Sequence, residues 1–205
     1  MKEDQMSKTI DFYFDFSSPY SYFAANKIDA IADVNGRSVN WKPILLGPVF
    51  KATGGASPIE FPKKGPYSKH DCARMARFMG LSWKMPDTFP IFSVAAARAF
   101  YWVDDKDPDQ ARLLAKSLFH RLFGEGQDIT SGEAVADVAS ALHVDSEQLL
   151  AGINDPAIKQ RVKDETAQAI ELGVFGAPYF IVDGEGFWGS DRMWMVKKWL
   201  QRGGW

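Results

Sequence analysis

The feature that most constrains this chain is a strand that runs directly into a helix start near residue 18. Apolar side chains occupy every second position from Ile10 to Phe16, which predicts a strand with one buried face. Ser18 is a good helix N-cap, and Pro19 suits the first helical position. A second alternating segment, residues 39–42, predicts another strand. The chain therefore begins with a β-α-β unit.

The other end of the chain returns to β structure. Residues 179–182 and 187–188 flank an Asp-Gly-Glu-Gly turn, which indicates a hairpin, and a last helix follows Ser190. Between the two ends, residues 47–64 are rich in glycine and proline and predict a long loop. Helical spacing of apolar residues then dominates as far as a long helix that starts near Pro156.

Joined together, the two ends have the β-α-β…β-β-α order of a thioredoxin fold. We therefore predict an α/β protein with a thioredoxin-like fold and an inserted all-α helical domain. The thioredoxin-like domain comprises residues 8–46 and 157–205, and the inserted domain comprises residues 47–156. This prediction requires the strand at 10–16 to share a sheet with the strand at 179–182.

Net charge and cysteine content exclude several classes of protein. The formal net charge of -2 gives no electrostatic basis for binding nucleic acid or an anionic membrane, and the sequence has no apolar run long enough to span a bilayer. Cys72 is the only cysteine, which excludes an internal disulfide, a CxxC redox centre and a thiolate-rich metal site. The three histidines have no metal-ligand spacing, so we expect no metal. A reducing, cytoplasmic location is the simplest expectation.

The turn Ser18-Pro19-Tyr20-Ser21 is the first candidate for chemistry. It follows the C-terminal end of the first strand, where ligands of open α/β sheets bind. A helix N-terminus favours an anion, and a serine hydroxyl can donate a hydrogen bond to a thiolate. Considered alone, a Ser-Pro pair in this position is more often a helix cap without further function.

The second candidate is Pro178, which precedes the strand at 179–182 by one residue. A turn at the boundary between loop and strand is one interpretation. In a thioredoxin fold, this proline instead faces the helix N-terminus that carries the active turn. The preceding residue, Ala177, then offers its backbone N–H and C=O groups to an extended peptide.

Three segments together resemble a known family. They are DFYFDFSSPYSY at 11–22, VFGAPYF at 174–180 and FWGSDR at 187–192. They are similar to segments of the 2-hydroxychromene-2-carboxylate isomerases and of the kappa-class glutathione transferases, a sister group in the thioredoxin-like superfamily. The resemblance extends over nearly the whole chain, and it implies that glutathione is the cofactor.

The resemblance also implies roles for individual residues. Ser18 matches the active-site serine that donates a hydrogen bond to the glutathione sulfur. Ala177, before the family's cis-proline at Pro178, matches the residue whose backbone pairs with the cysteinyl part of glutathione. Ser190 and Asp191 match the pair that binds the γ-glutamyl end.

Four further residues are assigned to the site on weaker grounds. Lys64 resembles the lysine near the glycyl carboxylate of glutathione, and a solvated basic loop explains it equally well. Phe50 and Lys51 line the second pocket by position, although core packing is the more common environment for a residue such as Phe50. Asp71 also falls on a family-like position. Residues 53–57 lack the asparagine that many relatives carry there, which leaves the substrate open.

We interpret the chain first as a glutathione-dependent isomerase of an aromatic-degradation intermediate, acting through a transient glutathione adduct. The alternatives are a transferase, in which glutathione stays attached to an electrophile, and a non-catalytic glutathione binder. A disulfide oxidoreductase is excluded by the single cysteine. The relatives suggest a homodimer, and the expected partner is an aromatic or electrophilic small molecule.

Overall fold

The computed structural model describes residues 9–205, in which four strands form one mixed sheet. The strands are β1 (Thr9–Phe14), β2 (Ser38–Pro43), β3 (Tyr179–Val182) and β4 (Glu185–Trp188). Their order is β2-β1-β3-β4, with β1 parallel to β2 and antiparallel to β3, and β3 antiparallel to β4. The predicted sharing of one sheet by the two ends of the chain is confirmed.

Ten α-helices surround the sheet in the described part of the chain. They are α1 (Pro19–Ala25), α2 (Ile28–Asp33), α3 (Leu46–Thr53), α4 (Lys64–Met79), α5 (Val94–Asp104), α6 (Pro108–Phe119), α7 (Gly132–Ser140), α8 (Ser146–Gly152), α9 (Pro156–Glu171) and α10 (Met193–Arg202). Five of them follow directly on a residue whose side chain caps the helix, as α6 follows Asp107. Local sequence therefore sets many of the boundaries.

The predicted loop at 47–64 is wrong in its first half, where α3 lies. Pro48 is in the first turn of this helix, where a proline breaks no intrahelical hydrogen bond. Val49 is fully buried, and Gly54 ends the helix in the left-handed conformation. The helix is only eight residues long, so its apolar spacing is too short to stand out in the sequence.

Aromatic residues of β1 form the centre of the core. The ring of Phe14 lies 5.4 Å from that of Trp41 in β2, and 5.7 Å from the rings of Phe100 in α5 and Phe119 in α6. On the other face of the sheet, Tyr13 packs in a smaller cluster with residues of α3 and α9. The larger cluster joins the sheet to the helices α5 and α6. The division into a thioredoxin-like domain and an inserted domain at residues 47–156 stays a prediction. Residue 8 lies outside the described residues.

Candidate active site

A cavity of about 910 Å³ opens at the C-terminal end of β1. Its walls come from the turn before α1, the start of α3, one face of α4, the segment before α5, the Ala177–Pro178 loop and the turn after β4. These segments are distant in sequence and meet only in the fold. Most of the residues predicted as a site lie on its wall, namely Ser18, Phe50, Lys64, Ala177, Pro178, Ser190 and Asp191.

Ser18 is held from both sides by hydrogen bonds. Its Oγ accepts from the backbone N–H of Ser21 at 3.2 Å, so it caps α1 as predicted. The same hydroxyl donates to the carbonyl oxygen of Ala177 at 3.0 Å. Ser18 is 5% exposed, and this small exposed part faces the cavity. The hydroxyl therefore has a fixed position and a proton that can be redirected to a ligand.

The loop opposite Ser18 contains a cis peptide bond between Ala177 and Pro178. The carbonyl of Pro178 accepts a hydrogen bond from the N–H of Gly189 at 2.9 Å, which ties this loop to the turn after β4. A Cβ at Gly176 would lie 2.5 Å from Nε1 of Trp188, so a larger residue here would displace this side chain. The backbone of Ala177 is thereby placed beside Ser18.

Ser190 and Asp191 lie in a short 3₁₀ turn at Ser190–Arg192, just before α10. Asp191 is exposed at the cavity wall, and its carboxylate pairs with the guanidinium of Arg192 at 2.6 Å. A partner for a ligand ammonium group is thus present on this side of the cavity.

Lys64, the first residue of α4, places a positive charge on the cavity wall. The Nζ atom of Lys64 lies 4.9 Å from the ring centroid of Phe61, and both residues line the cavity. Phe50 of α3 also lines it. Lys51, the next residue, is exposed in the last turn of α3 and does not line the cavity.

Tyr20, Ser68 and Asp71 form a polar cluster that the sequence analysis did not predict. The Tyr20 hydroxyl lies 3.4 Å from both Ser68 Oγ and Asp71 Oδ2, and Asp71 in turn pairs with Arg74. Burial raises the pKa of Tyr20 to about 12, and burial likewise raises the pKa of Cys72 to about 12. Both groups are therefore protonated at neutral pH, and Cys72 is not an activated thiol.

Asp15 also lines the cavity, and the sequence analysis did not identify it. Its carboxylate is 2% exposed and accepts hydrogen bonds from the N–H of Ser17, the hydroxyl of Ser93 and the N–H of Leu46. Burial raises the pKa of Asp15, and these hydrogen bonds oppose the increase. The sequence feature that could have identified Asp15 is its position at the C-terminal end of a strand, three residues before Ser18.

The remaining wall of the cavity is largely apolar. Its members come from α4 and from the segments before α4 and α5, and they include Ile59, Phe61, Met75, Met85, Phe89 and Ile91. No histidine is among the described residues that line the cavity, and no group of three or more histidines, cysteines or acidic residues in residues 9–205 could hold a metal ion. The site can therefore hold a polar, charged ligand next to an apolar one.

Comparison with known proteins identifies the family. Residues 9–201 match the family model described as a DSBA-like thioredoxin domain. The chain belongs to the DSBA-like thioredoxin domain family. The thioredoxin-like fold predicted from the two ends of the sequence is thus confirmed.

Two relatives and one solved structure place this DSBA-like chain more closely. It is 32% identical to a 2-hydroxychromene-2-carboxylate isomerase of Sphingobium xenophagum, over 95% of this chain and 99% of the relative. It is 30% identical to glutathione S-transferase kappa 2 of Caenorhabditis elegans, over 94% of this chain and 92% of the relative. A structure of a 2-hydroxychromene-2-carboxylate isomerase matches with a TM-score of 0.86 at 30% identity, over 95% of each chain. The resemblance to these two groups is confirmed.

None of the helices in residues 9–205 combines the length and the apolar character that a membrane crossing requires.

Proposed function

We propose that this chain is a glutathione-dependent isomerase that acts on a 2-hydroxychromene-2-carboxylate-like intermediate of aromatic degradation. The observation that carries the proposal is the position of the Ser18 hydroxyl, 3.0 Å from the Ala177 carbonyl at the wall of a cavity that is part charged and part apolar. The isomerase relatives support the reaction type. The kappa-class relative supports the choice of cofactor.

The charges around the cavity suit glutathione, which carries one ammonium group, two carboxylates and a thiol. Asp191 can accept hydrogen bonds from the ammonium group, and Lys64 can pair with a carboxylate. The backbone of Ala177 lies at the same cavity wall, beside Ser18. The residues present therefore fit this tripeptide.

Bound glutathione would supply a thiolate that adds reversibly to a conjugated carbon of the substrate. Ser18 stabilises the negative charge on sulfur by redirecting its hydroxyl proton from the Ala177 carbonyl to the ligand, because a hydrogen bond to an ionised acceptor is the stronger one. The N-terminus of α1 adds a favourable dipole. The apolar wall around Phe50 and Phe89 receives the aromatic part of the substrate and excludes water from it.

Ser18 acts in this proposal as a hydrogen-bond donor, not as a nucleophile. A serine nucleophile needs a general base, and no histidine lines the cavity among the described residues. Both hydrogen bonds of the Ser18 hydroxyl go to backbone groups, the N–H of Ser21 and the carbonyl of Ala177. Neither group can take up its proton.

The test is to mix the protein with catalytic glutathione and 2-hydroxychromene-2-carboxylate and to follow absorbance and total glutathione. Turnover without loss of glutathione supports the isomerase. Loss of glutathione with a model electrophile identifies the transferase instead, and binding without either reaction identifies a glutathione binder. Ser18→Ala, assayed at neutral pH, is the matched control with reduced activity. The homodimer and the cytoplasmic location stay predictions.

A further inference from the structure

We infer that Asp15 is a positioning residue, which holds three walls of the cavity in register through one buried carboxylate. The inference rests on the proposed function, since it concerns how the aromatic substrate is placed against the thiol site. Oδ1 accepts from the N–H of Ser17 and the hydroxyl of Ser93, both at 2.7 Å, and Oδ2 accepts from the N–H of Leu46 at 2.6 Å.

Each of these donors belongs to a different wall of the cavity. Ser17 immediately precedes Ser18, whose own N–H donates to the backbone carbonyl of Asp15 at 2.9 Å. Leu46 is the first residue of α3, the helix that carries Phe50 to the cavity. Ser93 ends the segment that contributes Phe89 and its neighbours, immediately before α5. The three donors, together with Asp15, all line the cavity.

Because Asp15 is buried, its hydrogen bonds strongly restrict the relative positions of the three walls. No lysine or arginine in residues 9–205 forms an ion pair with it, so the three donors supply the stabilisation that water would otherwise give to the carboxylate. Hydrogen bonds to an ionised acceptor are short and directional. A shift of any one wall would leave a charged acceptor and a buried donor unpaired, which is costly.

A carboxylate is the side chain that accepts all three hydrogen bonds at this position. In Asp15→Asn one oxygen becomes an NH₂ group, which faces a donor in either orientation of the amide. At least one wall is then released while the side chain keeps its volume. We expect the effect on the apolar wall to exceed that on the glutathione subsite, because two of the three donors, Leu46 and Ser93, belong to segments that carry the apolar wall. In the glutathione subsite only the Ser17–Ser18 turn is bonded to Asp15, and Lys64, Ser190 and Asp191 are not.

The experiment compares Asp15→Asn with Ser93→Ala, with the double variant and with Asp29→Asn. Asp29 is a carboxylate outside the cavity that accepts from Trp41 Nε1 and Lys116, so it controls for the loss of a structural carboxylate. For Asp15→Asn we expect KM for the aromatic substrate to rise at least fivefold, with the Kd for glutathione within about threefold of the wild-type value. Asp29→Asn should leave both constants unchanged.

The double variant tests whether the two residues act through their shared hydrogen bond. We expect Asp15→Asn together with Ser93→Ala to be little worse than Asp15→Asn alone. Effects that simply multiply, or an unchanged KM in Asp15→Asn, would overturn the inference. If Asp15→Asn does not fold, Ser93→Ala alone decides: it should raise KM for the substrate without changing the Kd for glutathione, and an unchanged KM overturns the inference.

A measurement without ligand separates this inference from the proposed function. In Asp15→Asn we expect hydrogen exchange at the Leu46 or Ser17 amide to be at least tenfold faster than in the wild type, with the Asp29→Asn protein unchanged. Wild-type exchange at both amides overturns the positioning role. Failure of the wild type to bind glutathione contradicts the proposed function instead, and it leaves this exchange comparison fully decisive.

Discussion

The hydroxyl of Ser18 donates a hydrogen bond to the carbonyl of Ala177, a residue 159 positions later in the chain. This single contact joins the helix that follows β1 to the cis-proline loop that precedes β3. It also places a movable proton beside a backbone edge that can pair with a peptide. The proposed chemistry of the cavity follows from this contact.

The first prediction concerns Ser18→Ala. We expect the pKa of bound glutathione to rise toward that of a free thiol, about 8.5 for cysteine, because the hydrogen bond to the thiolate is lost. Each unit of that rise corresponds to about 1.4 kcal/mol of lost thiolate stabilisation. Activity at neutral pH should fall and should partly recover as the pH rises. Ser18→Cys should retain some activity, because its thiol can also donate.

The measurement is the thiolate absorbance of the protein–glutathione complex during a pH titration. An identical titration in the wild type and in Ser18→Ala would contradict the role of the hydroxyl. A covalent adduct on Ser18, detected by mass spectrometry, would show that the serine is a nucleophile after all.

The second prediction uses Ser21 as the matched control. Its hydroxyl is fully buried and has no hydrogen-bond partner among the described residues, so its removal leaves no donor or acceptor unsatisfied. Ser21→Ala should keep activity within about twofold and leave the thiolate titration unchanged, with a melting temperature equal to or above that of the wild type. A loss of activity as large as that of Ser18→Ala would assign Ser21 to the site.

The third prediction concerns Asp191→Ala. Loss of a hydrogen-bonded contact to a charged group typically costs about 1.5–3 kcal/mol, so we expect glutathione to bind roughly tenfold more weakly or worse. The control is Asp109→Ala, which removes an exposed carboxylate that pairs with Arg112 outside the cavity. Calorimetry with both variants gives the comparison. Equal affinities would remove Asp191 from the glutathione subsite.

The fourth prediction concerns stability in alkali. Burial raises the pKa of Tyr13, Tyr20 and Cys72 to about 12, from ordinary values of 10.0 for tyrosine and 9.0 for cysteine. Above pH 9 the unfolded chain therefore loses protons that the folded protein keeps, and the free energy of unfolding falls as the pH approaches 12. Each fully shifted group contributes up to about 1.4 kcal/mol per pH unit.

Urea unfolding between pH 7 and pH 10.5 measures this dependence. Cys72→Ala should flatten the slope between pH 9 and pH 10.5, whatever its effect on stability at pH 7, because the cysteine of the unfolded chain ionises at lower pH than its tyrosines do. An unchanged slope in Cys72→Ala would show that the thiol is not shifted.

The secondary structure was predictable where the signals are local. The alternation in β1 and the caps Ser18 and Asp107 act within a few residues, and the structure places elements there. The Asp183-Gly184 turn is similar, since both residues take positive φ and form the tight connection between β3 and β4. Short segments escaped this reasoning, as α3 shows.

The site was predictable in part, because its motifs were recognisable as those of a family. Ser18, Ala177, Asp191 and Lys64 do line one cavity. Lys51 does not line that cavity, because the next residue along a helix from a lining residue is directed about 100° away from it. The sequence therefore identified candidates without fixing which way each side chain is directed.

The sequence by itself determined the order of the strands and, through its single cysteine, the absence of redox chemistry of the CxxC type. Only the tertiary structure decided that Ser17, Leu46 and Ser93 donate to the same carboxylate of Asp15. Local signals arise from interactions between residues one or two turns apart, and these interactions depend little on the rest of the fold. The cavity arises from contacts between segments far apart in the chain, and their geometry exists only once the core has packed.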